Sequence, residues 1–263
     1  MKRCTIFATI WALSASPLLA QTVPLPQEHE QPLVAAAPAA TTPALPTVSS
    51  LFGDLARDFR RLPSRETALV LGIAAASSVG MWRHDRSITA RLTSSATLDR
   101  VFEIGEMAGN GLVQGGAAMA TYAMGRIIKN SKVATVGADL VRGQMLNFTL
   151  TQGVKFSVRR ARPDGGRYSF PSGHASSSFA FASVLGRHLG WRVSVPAHTI
   201  AAYVAASRLQ ENRHFATDIA IGAAMGMIVG RTATIGRDSA RFVVSPVASA
   251  GVAGVAFTWI GRP

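Results

Sequence analysis

From about residue 51 onward, apolar side chains recur at intervals of three and four, and glycines or short polar clusters separate the runs. That period predicts helices rather than strands. Leu51 to Arg61 reads as a short amphipathic helix ended by Leu62-Pro63, and Ser64 is placed to cap an apolar helix that runs to about Trp82. Ser94 to Met107, Leu112 to Lys129 and Val133 to about Val158 follow, and after a loop come Ser172 to Leu189, Ser194 to about Leu209 and His214 to Arg231. The expected fold class is all-α, a bundle of six to seven helices over 51–235. The period then changes. Arg241 to Val247 and Val252 to Trp259 are rich in Val and Phe around Ser249, Ala250 and Gly251, which predicts a C-terminal β-hairpin over 240–261. Pro246, Gly251 and Gly254 argue against a terminal membrane helix there.

Several of the helical runs are apolar nearly all round, the pattern of a buried core helix or a membrane span, and length arbitrates. The uncharged runs Thr67 to Trp82, Val193 to Ser207 and Ile219 to Gly230 all fall short of the roughly 18 residues that flag a span. The expectation is a globular helical domain that sits on a membrane surface, with an integral protein as the alternative.

Upstream of residue 51 the pattern is of another kind. Lys2 and Arg3 precede the mostly apolar Ile6 to Leu13 and the small-residue end Ser16, Pro17 and Ala20, which predicts a signal peptide over 1–20 and export to the periplasm or cell envelope. Residues 21–50 hold Pro24, Pro26, Pro32, Pro38, Pro43 and Pro46 among Ala, Thr and Gln, the composition of a Pro/Ala-rich disordered linker. Cleavage after Ala20 would remove the single cysteine, Cys4, so disulfides and multi-cysteine metal sites drop out. With 48% hydrophobic residues in 263, the chain has material for a packed core and is not disordered throughout. Its 27 Lys and Arg against 14 Asp and Glu favour an anionic partner. Nucleic acid fits poorly with an export signal and 7% aromatic residues.

Three strings carry the candidate chemistry. The first, Lys155 to Pro163, is a basic helix end in which Lys155 and Arg162 are seven apart, on one helical face, and Pro163 stops the helix. Taken alone it is a solvated basic terminus. The second, Phe170-Pro171-Ser172-Gly173-His174, puts a serine at a helix N-cap, where its hydroxyl and the following N–H groups can surround an anion. His174 in that first turn can give up a proton near neutrality. The third runs from Ser207-Arg208 to His214 and Asp218. If His214 begins a helix, Asp218 lies on the same face, where a carboxylate can fix the imidazole tautomer and stabilise the charged ring. Arg208 adds a planar fork for phosphate oxygens.

Together these strings resemble the signature of the type 2 phosphatidic acid phosphatase superfamily, which includes vanadium haloperoxidases and bacterial acid phosphatases. The matching elements are Lys155, six residues, Arg162-Pro163; Pro171-Ser172-Gly173-His174; and Ser207-Arg208, five residues, His214, three residues, Asp218. The resemblance implies a phosphohydrolase that needs no metal or other cofactor, with vanadate as a phosphate-mimicking inhibitor. It implies His214 as nucleophile, Asp218 as its orienting partner and His174 as the acid for the leaving oxygen. Lys155, Arg162, Arg208, Ser172 and the Gly173 backbone would bind the phosphate. The expected partner is a phosphorylated lipid (phosphatidate, a polyprenyl diphosphate or a lipid A phosphate) or a small phosphate ester cleaved by a soluble acid phosphatase. Vanadate-dependent halide oxidation and a non-catalytic basic binding protein are the further alternatives. His84 is expected to face solvent, His188 and His198 to be surface or satisfied core residues, and Arg167 is within conceivable reach of substrate.

Overall fold

A computed structural model describes residues 44–93, 96–236, 241–249 and 252–260, without the side chains of 96–100, 103 and 241–260. The signal peptide expected at 1–20, and the linker to residue 43, lie outside the described residues. The chain divides into two compact units, one of which is Ala44–Ala240. In the other, the backbone of β1 (Arg241–Ser249) runs antiparallel to that of β2 (Val252–Ile260). No side chain there is described, so the hairpin expected over 240–261 is unsupported as a packed element.

The helical unit has nine helices among its described residues, more than the six to seven expected. The first, α1 (Val48–Arg61), starts three residues before Leu51, inside the expected linker, because Thr47 and Ser50 form a reciprocal capping box. After α2 (Arg65–Trp82), capped by Ser64 as anticipated, the chain turns at Arg83-His84 into α3 (Asp85–Thr93). The charged Trp82-to-Arg86 string is therefore a helix junction; His84 faces solvent as expected, and Asp85 alone of the five is buried. Two helices follow, α4 (Ala96–Gly109) and α5 (Gly111–Ile127), the latter capped by Asn110.

The centre of the unit is α6 (Ser131–Val158), whose residues from Ala134 to Leu146 are buried almost without interruption. It packs against α1, α5, α7 (Gly173–Leu189) and α9 (Ala216–Ala233), while α8 (Trp191–Gln210) lies on α7 and α4. Leu140, Val141, Val184, Tyr122 and Leu51 form one apolar cluster, and Leu146, Ala180 and Val229 a second. A polar latch joins α1 to this core. Arg142 binds the carboxylates of Asp58 and Asp139 and donates to the Ala233 carbonyl at 2.6 Å, and His188 Nε2 lies 2.8 Å from Asp139. His188 is thus a satisfied core residue. By contrast α2 has no buried residue, and Leu69, Ile73 and Val79 are exposed. Among the described residues no helix is long and apolar enough to cross a membrane.

What brings α7 against α9 is a stripe of small residues. Gly222, Gly226 and Gly230 recur every four residues on α9 and face Ser172, Ser176 and Ser183 of α7. A methyl group at Gly226 would collide with the Ser176 carbonyl oxygen, which is backbone and cannot swing aside. We expect Gly226→Ala to destabilise the protein by about 1–3 kcal/mol. Thermal unfolding followed by circular dichroism measures this, and an unchanged melting temperature would show that α7 and α9 are free to separate.

Candidate active site

The first turn of α7 supplies the floor. Ser172 is fully buried, its hydroxyl accepts the Ala175 N–H at 3.4 Å, and its own N–H donates to the Asp218 carbonyl at 3.0 Å. The cap is thereby tied to α9 as well as to its own helix. His174, one residue into α7, is half-buried. The Glu106 backbone carbonyl of α4 accepts a hydrogen bond from its ring, and Nε2 is left without a protein partner. Gly109 makes room for α4 here, since a side chain at that position would meet the His174 ring and Val204. Burial, then the charges of Arg208 and His214, lowers the His174 pKa to about 4.

The His214 and Asp218 pairing forms, but not as expected. His214 does not begin a helix: α9 starts at Ala216, Phe215 is its N-cap, and His214 sits in the preceding loop with its N–H donating to the Arg208 carbonyl at 3.2 Å. Asp218 is the third residue of α9. Its Oδ2 accepts the Phe215 N–H at 2.9 Å, closing the helix start, and His214 Nδ1 stands 3.7 Å from the same oxygen. That exceeds a hydrogen bond, and in a free site such contacts are commonly long until substrate seats them. Only 3% of the His214 surface is exposed, and burial lowers its pKa against the opposing effect of Asp218. Burial also works against ionisation of Asp218, but the adjacent His214 ring, hydrogen bonds from Ser169 and Phe215 and the charge of Arg160 outweigh it and hold the carboxyl below the usual range.

The cations come from three loops or helix ends. Lys155, in the last turn of α6, donates to the Tyr168 carbonyl at 2.6 Å. Arg162 does not share a helical face with it. The helix ends at Val158 because Arg159 turns left-handed at φ 50°, four residues ahead of Pro163, and Arg162 lies in the following loop, its N–H bonded to the Gly166 carbonyl at 2.8 Å. Arg208, at the C-terminal end of α8, is 3% exposed and pairs with Glu211 at 2.8 Å. The Nε atoms of Arg162 and Arg208 are buried without a protein partner. Their unmet donors, the Lys155 ammonium and the α7 N-terminus make a cradle that suits a tetrahedral anion. Each named site residue is thus brought to one place: His174 feels His214, Arg208 and Lys155, and His214 feels Lys155, Arg162 and Asp218.

Reading the strings missed four residues. Arg160 donates to Asp218 Oδ1 at 2.6 Å, Thr217 Oγ1 at 2.7 Å and Asp85 Oδ2 at 2.9 Å, and the Ser169 hydroxyl donates to Asp218 Oδ2. Arg160 and Ser169 lie beside the recognised positions, so an unassigned arginine in the first string was the available signal. Asp85 had none, being far away in sequence. Arg167 is exposed, and His198 is held by the Ser194 carbonyl at 2.8 Å. Among the described residues no group of three His, Cys, Asp or Glu side chains is gathered as a metal would require.

Residues 141–240, which contain this whole cradle, match the model of the PAP2 superfamily. Over 80 residues the chain is 42% identical to the lipid A 1-phosphatase of Porphyromonas gingivalis, covering 29% of this chain and 18% of that protein. Over 87 residues it is 36% identical to the decaprenylphosphoryl-5-phosphoribose phosphatase of Mycobacterium tuberculosis, covering 29% and 48%. The chain therefore spans less than half the length of either relative. Among solved structures, Aquifex aeolicus LpxE aligns with a TM-score of 0.48 at 22% identity over 58% of this chain and 93% of that one. The transmembrane PAP2-type phosphatidylglycerolphosphate phosphatase of Bacillus subtilis aligns at 0.43 and 18% over 71% and 93%.

The cradle has a titratable member. Burial, followed by the Arg162 charge, lowers the Lys155 pKa to about 8. Sulfate, which keeps its charge across the range, is therefore expected to bind with falling affinity as pH rises through about 8, and Lys155→Arg should abolish that fall. Calorimetric titration of sulfate at successive pH values measures it. A flat profile in the parent protein would remove Lys155 from the cradle.

Proposed function

We propose that this site hydrolyses a phosphate ester of a lipid through a covalent phosphohistidine, at the cell envelope to which the N-terminal segment would export it. The observation that carries the reading is the buried His214 with Asp218 behind Nδ1, facing His174 and three cations. In this scheme His214 Nε2 attacks phosphorus while its Nδ1–H is held by Asp218, and the ester P–O bond breaks as His174 gives its Nε2 proton to the departing oxygen. Water then attacks the phosphohistidine with neutral His174 taking its proton, which releases phosphate and restores both rings. Phosphoryl transfer asks mainly for alignment and charge neutralisation. Lys155, Arg162, Arg208, Ser172 and the Gly173 N–H would supply both to the equatorial oxygens without a metal. The incoming phosphate also offsets the positive charge around His174 and raises its pKa toward the working range.

Two observations favour a lipid over a soluble ester. The two relatives are named as phosphatases of lipid A and of decaprenylphosphoryl-5-phosphoribose. The helical unit also leaves large apolar side chains in the open, among them Leu112, Val79, Ile127 and Trp191, all at least 70% exposed.

His214→Ala should lower phosphate release by more than about 10³-fold with the helical circular dichroism retained. The parent protein should keep its activity in EDTA and prefer long-chain lipid phosphates to p-nitrophenyl phosphate. Turnover surviving in His214→Ala would overturn the nucleophile, and a preference for p-nitrophenyl phosphate would return the protein to the soluble acid phosphatases. Since His174 must be protonated and His214 neutral, and both pKa values are lowered, kcat/KM for an alkyl phosphate should rise as pH falls below neutrality. In His174→Gln that rise should vanish; a profile that kept it would place the acid elsewhere.

A further inference from the structure

Arg160 belongs to no part of the anion cradle, yet it is the most heavily engaged cation near it. Its Nη1 donates to Asp218 Oδ1 and to Thr217 Oγ1, and its Nη2 donates to Asp85 Oδ2. The guanidinium is stacked between two rings, 4.3 Å from the centroid of Trp82 and 4.2 Å from that of Phe215. Asp85, 2% exposed at the start of α3, completes a closed circuit: it also accepts the Thr217 hydroxyl at 2.6 Å and the Thr217 N–H at 3.1 Å. Three donors, Arg160, Ser169 and the Phe215 N–H, thus determine how the Asp218 carboxylate is turned, with Oδ2 set 3.7 Å from His214 Nδ1.

We propose that Arg160 is a positioning residue for the Asp218–His214 pair, and that Asp85, Trp82 and Phe215 hold it in place from the α2–α3 junction. The inference rests on the role given to His214 above. Its physical content is twofold. A planar fork with fixed donor directions satisfies three acceptors at once, which an ammonium on a flexible stem cannot do. The charge also keeps a buried carboxylate ionised beside the ring it orients.

The two parts separate experimentally in the full chain. Arg160→Ala removes fork and charge: kcat should fall roughly 10²-fold, while sulfate affinity stays within about threefold because Arg160 does not face the anion. Loss of a nearby positive charge raises the pKa of both Asp218 and His214, so the acidic limb of the kcat/KM profile should move to higher pH. Added guanidinium ion should restore part of the rate. In Arg160→Lys, where charge remains but geometry does not, kcat should fall with the limb unmoved. Asp85→Asn should follow Arg160→Ala in direction with a smaller loss, about tenfold. Arg159→Asn, at an exposed neighbour, should be silent.

Proton uptake by the His214 ring, followed by NMR in the substrate-free protein, reads the same coupling without turnover and should shift to higher pH in Arg160→Ala. An inactive parent protein would overturn the hydrolase reading, and this titration would still decide Arg160. An unmoved titration overturns the proposal, as does a rate loss in Arg160→Ala that tracks lost sulfate binding. Should Arg160→Ala fail to fold, unchanged kcat in Arg160→Lys overturns it too.

Discussion

A carboxylate with no solvent exposure stays ionised only if donors meet it from the protein, and in this molecule that demand falls on Asp218. The donors arrive from separate parts of the chain. Phe215 offers its N–H from the helix start, Ser169 its hydroxyl from the α6–α7 loop, and Arg160 its guanidinium from the end of α6, itself braced by Asp85 at the start of α3. Satisfying one buried charge therefore fastens α3, the α6–α7 loop and α9 together. The same arrangement sets the carboxylate 3.7 Å from His214 Nδ1.

The second demand is electrostatic repulsion. Lys155, Arg162 and Arg208 converge where, among the described residues, only Arg208 has a close carboxylate partner, Glu211. Such a gathering of like charge is unfavourable until an anion arrives, and the fold must hold it open in advance. It does so by rooting each cation on a rigid helix end or tight turn: α6 for Lys155, the Arg162–Gly166 turn, and α8 for Arg208. Preorganised charge of this kind costs stability in the free protein and spares reorganisation at the moment of reaction. Burial first, and then this field, lowers the pKa of both imidazoles in the free site.

Packing supplies the tolerance. Glycines on α9 let the backbone of α7 approach until the Ser172 N–H reaches the Asp218 carbonyl, and Gly109 lets α4 close over His174. Apolar clusters line α6, and the Asp58, Arg142 and Asp139 latch lies among the first of them, in the N-terminal half of that helix. On the outside, large apolar side chains of α2, α5 and α8 stay exposed.

Much of this was legible from the chain alone. Helical periodicity located most elements, and the three strings named all eight residues that converge, because chemistry at fixed spacing survives as a local pattern. Helix ends were read less well: α3, the early start of α1 and the left-handed stop at Arg159 depend on caps and turns that periodicity does not encode. His214 and Asp218 were paired correctly for the wrong reason, as helical neighbours rather than a loop residue and the third position of a helix. Composition and spacing picked out the side chains that the fold gathers around the α7 N-terminus. Only the tertiary structure decided that Asp85, some seventy-five positions before Arg160, belongs to the same circuit, since the pairing of buried charges is a matter of distance in space and leaves no periodic trace along the sequence.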